Sequence, residues 1–277
     1  GLLMDVEYFP VAEEVEANLS EPVPIPDWEF SLPEDLVGPA APRVGIYRSW
    51  QEPIPAGWTR WVFDQHGLAH DTVRDERIRQ GALSQDYDVI LFQSQSPSSI
   101  RDGFQPGVLP PEYTGGLGPE GSAALREFVR AGGRIVAVEA ATDFLIDLFG
   151  LGVFNAVERL PPQDFYIPGS ILRVELEENH PLNRNLGSST PVWFWRSSRA
   201  FEVEEPRARV LSRYAEGNPL LSGWLLGPEY LAGKPAAVEV RIGQGSVVLF
   251  GFQPDYRAQS VATWPLLFNA LAGDGGS

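Results

Sequence analysis

The sequence predicts an α/β fold with a doubly wound, mostly parallel sheet and a β-rich insertion. Three observations carry this. Short apolar β runs alternate with segments of helical periodicity from residue 43 to residue 150, the pattern of βαβ units. Residues 87–92 contain the run Val89, Ile90, Leu91, Phe92, which suits a parallel strand buried on both faces. The stretch Gly132-Gly-Arg-Ile-Val-Ala-Val-Glu-Ala-Ala-Thr-Asp-Phe-Leu-Ile-Asp-Leu-Phe-Gly150 passes from a Gly-Gly turn through a buried strand and a sharp elbow into a helix.

In chain order the domain begins at Arg43. Val44–Tyr47 is the first strand. Residues 57–66 form a helix, with Trp58, Trp61 and Val62 expected on its inward face at i, i+3, i+4. A short strand at 69–73, a helical turn at 75–80 and the strand at 87–92 follow. Residues 94–121 read as a long Gly/Pro loop. A helix at 122–130 faces inward through Leu125, Phe128 and Val129 and stops at Gly132. Arg134–Val138 is the central strand, and residues 142–149 repeat Phe144, Leu145, Leu148 and Phe149 at helical spacing. Residues 151–235 are strand- and loop-rich, with β runs at 171–176, 192–195 and 209–214, and read as an insertion beside the sheet. The last unit resumes the alternation of the first half. It has strands at 236–242 and 246–252 around the turn Gly243-Gln-Gly245, then a helix at 263–271 with Pro265 in its first turn.

Composition bounds the function. The apolar fraction of 43% supports a sizeable core, and 28 Gly with 25 Pro imply many turns. No apolar run reaches the ~18 residues of a membrane span. The absence of Cys excludes disulfides, thiolate chemistry and cysteine metal sites. Net charge is −16, and residues 1–42 hold ten acidic groups and no Lys or Arg. No basic stripe exists, so nucleic acid is not an expected partner, and an anionic membrane surface would repel the chain. The chain begins at Gly1 with its one Met at position 4, as expected of a processed or excised product.

The elbow is where chemistry would sit. Small residues after the strand allow the tight strand-to-helix turn on which many α/β enzymes mount a nucleophile. The stretch resembles the elbow of class I glutamine amidotransferases, where a cysteine follows the buried strand. Here Glu139 holds that place. The resemblance puts the base and acid in a late His-Pro-Glu run; this chain has Phe252-Gln-Pro-Asp255, so Gln253 stands at the base position. An amide cannot take a proton near neutral pH. The degenerate triad is Glu139, Gln253, Asp255.

Further stretches carry a wider resemblance. They are Arg43-Val-Gly-Ile-Tyr-Arg-Ser-Trp50, Gly57-Trp-Thr-Arg-Trp61, Glu112-Tyr-Thr-Gly-Gly116, Phe128-Val-Arg-Ala-Gly-Gly133, His180-Pro-Leu182, Asn218-Pro-Leu-Leu-Ser-Gly-Trp224, and Gly245-Ser-Val-Val-Leu-Phe-Gly-Phe252 with Tyr256-Arg-Ala-Gln259. Together they resemble the glutamine-amidotransferase-like domain that follows the catalytic domain in bacterial zinc carboxypeptidase-like proteins of the carboxypeptidase A type. The resemblance covers residues 43–272. It implies a flavodoxin-like sheet and an exported, periplasmic or extracellular, parent protein. It does not make this chain a peptidase: a carboxypeptidase zinc site needs His-x-x-Glu, and none of His66, His70 and His180 starts one.

No cofactor and no metal are expected. His66 and His70 are spaced i, i+4, but Gly67 lies between them and no Glu follows His66, so they read as surface or packing histidines. The run Gly115-Gly-Leu-Gly-Pro-Glu-Gly121 lacks the Lys-Ser/Thr of a phosphate cradle. Ligand-binding candidates are Trp50, Trp58, Glu112, Tyr113, Gly115, Gly116 and Arg257, near the expected carboxyl ends of the strands. Val192-Trp-Phe-Trp-Arg196 puts Trp193 and Trp195 on one strand face and Phe194 on the other. These aromatics suit either a stacking platform or interface packing.

Three segments result: an acidic, Pro-rich arm (residues 1–42), in which a helix at 12–18 is conceivable; the glutamine-amidotransferase-like domain (43–272); and a tail (273–277). Leu2, Leu3, Tyr8, Phe9, Trp28 and Phe30 make the arm too apolar for a plain solvated linker; it is expected to dock on its own domain or, preferably, on a neighbouring subunit, and the expected partners of the chain are a second copy or the parent peptidase domain. The functional expectation is a non-catalytic binding or assembly module associated with an exported zinc carboxypeptidase-like protein. The alternative is a hydrolase, glycosidase- or peptidase-related, using Glu139 in a pocket shared with Asp255 or Glu112.

Overall fold

The computed structural model describes residues 32–196 and 198–273. The conceivable helix at 12–18 and the anchors of the arm lie outside the described residues. In chain order the elements begin β1 (Val44–Tyr47), α1 (Ile54–His66), β2 (His70–Val73), α2 (Asp75–Arg79), β3 (Val89–Phe92), α3 (Pro97–Arg101), α4 (Gly118–Arg130), β4 (Arg134–Val138) and α5 (Ala140–Phe149). Then come β5 (Val153–Asn155), β6 (Ser170–Leu176), β7 (Ser189–Phe194), β8 (Phe201–Val203), β9 (Ala208–Tyr214) and β10 (Leu220–Ser222). The last are β11 (Pro235–Ile242), β12 (Gly245–Phe250) and α6 (Trp264–Ala272).

Five parallel strands form the centre of the main sheet in the order β2-β1-β3-β4-β12. This is the flavodoxin-like order, with crossover helices on both faces. On one face α1 and α6 meet through Phe63 and Phe268, with ring centroids 5.7 Å apart. On the other face α4 and α5 pack Leu125, Phe128, Phe144 and Leu145 onto Ile90, Ile135 and Leu249. β1, β3 and β12 are buried along their whole length, which is why their sequence is largely apolar at consecutive rather than alternate positions.

Beyond β12 the sheet continues antiparallel through β11, β9 and β6. β7 pairs along one edge of β6, while β9 and β10 share the other edge. Much of segment 151–235 therefore extends the main sheet, where an insertion beside it was expected. β6 shows the reason: its burial alternates strictly, with Leu172, Val174 and Leu176 inside, as in a strand with one solvated face. Among the described residues, β5 and β8 form a separate two-stranded sheet.

Two further expectations are corrected. α1 starts at Ile54, and its inward face is Ala56, Thr59, Val62 and Phe63. Trp58 is 41% and Trp61 48% exposed, so they face outward with Ile54 at i, i+4, i+7. The helix is apolar on two sides, and spacing alone does not say which side meets the sheet. The stretch 94–121 holds α3 and the first turn of α4. Ser96 Oγ accepts from Ser99 N at 3.1 Å, and Pro97 opens the helix behind this cap.

Phe92 sits between Tyr47, stacked at 4.4 Å, and Phe144 at 6.3 Å, and is fully buried. Phe92→Ala is expected to lower unfolding free energy by about 3–5 kcal/mol. Urea denaturation checks this; a loss below about 1 kcal/mol would show that the ring is not part of the core.

Candidate functional site

The carboxyl ends of the parallel strands carry a row of buried polar side chains. Glu139 follows β4 with φ 46 and ψ −117. This left-handed conformation costs a non-glycine residue about 1–3 kcal/mol and is held by its surroundings. Glu139 N donates to Phe250 O at 2.8 Å, extending the β4–β12 ladder past the strand end. Thr142 N and Oγ1 both donate to Glu139 O, at 2.9 and 2.6 Å, and start α5. The elbow geometry expected from the sequence is therefore present.

The Glu139 side chain is fully buried. Ser198 Oγ donates to its Oε1 at 2.6 Å, and Gln253 Nε2 donates to its Oε2 at 3.0 Å. Ser198 is itself fixed by a turn: its Oγ accepts from Trp195 N at 2.8 Å, and its own N donates to Trp195 O at 2.9 Å. So two of the three degenerate triad positions, Glu139 and Gln253, do touch. A carboxylate that is fully buried and bonded on both oxygens is not open to an approaching substrate in this arrangement.

Asp255 lies in a neighbouring network. Thr59 Oγ1, on α1, donates to its Oδ2 at 2.5 Å, and Gln93 Nε2, just past β3, donates to the same oxygen at 3.0 Å. Burial pushes the Asp255 carboxyl up to about 6; the bonds from Thr59 and Gln93 work against this, and the nearby Glu139 adds to it. Asp75, bonded by Tyr47 Oη at 2.6 Å, is likewise pushed up by burial to about 6. Thr59, Gln93 and Ser198 were not singled out from the sequence. Thr59 and Gln93 had a signal, each a polar residue inside or just after an apolar run; Ser198 had none, because a turn far along the chain brings it in.

The ligand-binding candidates scatter. Trp50 packs edge-on against Tyr113 at 4.7 Å, lies under the Arg74 guanidinium at 4.1 Å, and donates through Nε1 to Glu76 at 3.1 Å. Glu112 is exposed beside this pair, and Trp58 faces outward on α1. Gly115 and Gly116 pack as backbone: a Cβ on Gly116 would lie 2.6 Å from Ile100 O, and one on Gly103 would lie 1.9 Å from Gly115 O. These glycines close the loop onto α3, and that accounts for them without a ligand. Arg257 is left-handed with φ 48, and its guanidinium lies 5.3 Å over the Tyr256 ring.

Trp193 stacks on Tyr256 at 4.7 Å and lies 6.0 Å from Trp195, nearly parallel to both. A Cβ on Gly169 would meet the Trp195 ring at 2.6 Å, so the aromatic row rests on bare backbone there. The row ties the loop after β12 to the end of β7, over the turn that carries Ser198. His66 packs on Trp264 and His70 on Phe63. Among the described residues no group of three or more His, Asp or Glu could hold a metal. Among the same residues no helix is long and apolar enough to cross a membrane.

No protein-family model matches the chain, and no curated protein matches it. The fold does recur among solved structures. A Salmonella typhimurium protein described as cytoplasmic superposes with TM-score 0.51 at 14% identity, over 83% of this chain and 97% of that one. A Thermoplasma acidophilum protein described as one of the GMP synthase subunits gives 0.50 at 11% identity, over 83% and 94%. A Rahnella β-galactosidase gives 0.49 at 18% identity; 82% of this chain is covered but only 31% of that enzyme. At these identities the likeness establishes the fold alone: the chain has a flavodoxin-like α/β fold.

The Asp255 carboxyl yields a pH test. Its folded value of about 6 lies above the ordinary 3.8, so its stabilising share is complete below the ordinary value and lost as pH rises through about 6. Asp255→Asn removes that titration. The variant's stability relative to the parent should therefore improve by about 2 kcal/mol between about pH 4.5 and about pH 7.5. Paired urea titrations at the two pH values check this; a pH-independent difference would show that Asp255 titrates normally.

Proposed function

We propose that this chain is a non-catalytic, glutamine-amidotransferase-like binding and assembly module that belongs with an exported zinc carboxypeptidase-like protein. The observation that carries the first part is the state of Glu139: fully buried, with both carboxylate oxygens bonded by Ser198 and Gln253. Hydrolysis of an amide by the elbow residue needs a nucleophile open to substrate and a base beside it. The elbow residue here is enclosed, and the base position carries an amide. The association with a peptidase rests on the sequence stretches alone.

Asp255, pushed up to about 6, and the strained elbow favour one alternative, a hydrolase working through Glu139. That reading requires the Ser198 turn to open and Gln253 to let go. As the enclosed carboxylate stands, it braces the elbow against the turn after β7.

Two outcomes follow. The pure protein should release no ammonia from L-glutamine, and Glu139→Gln should leave that null result and the fold unchanged; release abolished by Glu139→Gln would establish the hydrolase instead. The second concerns assembly. Residues 1–42 carry ten carboxylates and several large apolar side chains, which suits a segment docking on a neighbouring copy. Deleting residues 1–38 should lower the particle mass measured by light scattering while circular dichroism stays the same. An unchanged mass, or a parent that is already monomeric, would remove self-assembly from the proposal.

A further inference from the structure

A cleft of about 380 Å³ opens beside the Ser198 turn, between β7 and the segment 155–167. That volume falls in the range of small-molecule sites. Its walls mix polar groups with aromatic and aliphatic ones; among the latter Phe194 and Ile167 are buried, Phe165 meets Phe194 edge-on at 6.3 Å, and Tyr166 stays 45% exposed. Of the three charged side chains that line the same cleft, two are Arg196 and Glu158. Both are exposed, and among the described residues neither forms an ion pair, with the other or with any third group. The remaining cation there is committed, since Arg199 Nη2 pairs with Asp143 at 2.6 Å.

We infer that this cleft binds a small zwitterion with an apolar or aromatic side chain: a free α-amino acid or a short peptide. Arg196 supplies a planar donor pair for a carboxylate. Glu158 supplies an acceptor for an ammonium group, and Phe165, Tyr166 and Phe194 supply surface for the side chain. Other ligand classes fit less well. A phosphate ester would find a single unpaired guanidinium and a protein of net charge −16. A sugar needs several hydroxyl partners, and the Ser198 hydroxyl is already bonded to Glu139 and Trp195 N. A zwitterion carries no net charge, so the acidic field of the protein neither attracts nor repels it. None of these contacts involves Glu139, so binding here does not depend on whether that residue is inert.

The test is calorimetric titration of the purified chain with four probes: L-phenylalanine, L-phenylalanine amide, N-acetyl-L-phenylalanine and L-phenylalanyl-L-phenylalanine. L-Phenylalanine or the dipeptide should bind, and whichever is tighter identifies a free amino acid or a peptide as the better ligand. The amide and the N-acetyl compound should each bind about tenfold or more weakly. Arg196→Gln should erase the discrimination against the amide, and Glu158→Gln that against the N-acetyl compound. Both are exposed positions, and circular dichroism confirms the fold of each variant. The inference is overturned if neither zwitterion binds at millimolar concentration. It is also overturned if the blocked compounds bind as tightly as L-phenylalanine, or if both variants keep the parent's preferences.

Discussion

The hydrogen bond from Ser198 to Glu139, 2.6 Å long, joins two halves of the molecule that the chain makes far apart. Glu139 ends the central parallel strand; Ser198 lies in the turn after the outermost antiparallel one. Both groups are buried, so losing this bond would strand a polar atom inside the protein. Through it the strained elbow, the Trp195 turn and the aromatic row to Tyr256 are positioned together. Removing the hydroxyl would leave a buried carboxylate short of a donor, a penalty of about 1–3 kcal/mol.

This places the elbow's strain in a structural context. A left-handed residue at a strand-to-helix junction usually holds a reactive atom in the open. Here the same backbone holds a carboxylate inward, where it accepts bonds from Ser198 and from the amide at Gln253. The elbow geometry is present while the groups around its carboxylate bond to it from both sides. The buried pair of Asp255 and Glu139 raises a related cost, since the second charge makes the first harder to ionise.

The centre of the fold was legible because its strands carry unbroken apolar runs, as in Val89–Phe92 and in the four residues after Arg134. The elbow was legible for the same reason: a buried strand, small residues and a helix follow one another without interruption. The outward face of α1 was not, since Trp58 and Trp61 are as apolar as the residues that do meet the sheet. The course of segment 151–235 was hidden in another way. Its strands pair in an order set by long-range contacts, β6 with β9 and β9 with β11, and no local spacing encodes that order. Ser198 is the sharpest case, a plain serine whose role exists only once β7 has returned to the centre.

The pairing of β4 with β12 has a consequence for how the chain is made. Arg134 stands opposite Ser246, so a nascent chain that has finished β4 leaves one of its edges unpaired while the whole antiparallel wing is synthesised. An apolar strand with an open edge is a template for any other extended chain that passes. During that interval the growing protein is at its most aggregation-prone, and the acidic residues already made upstream, ten of them in the first 42, give it like-charge repulsion against its neighbours on a polysome.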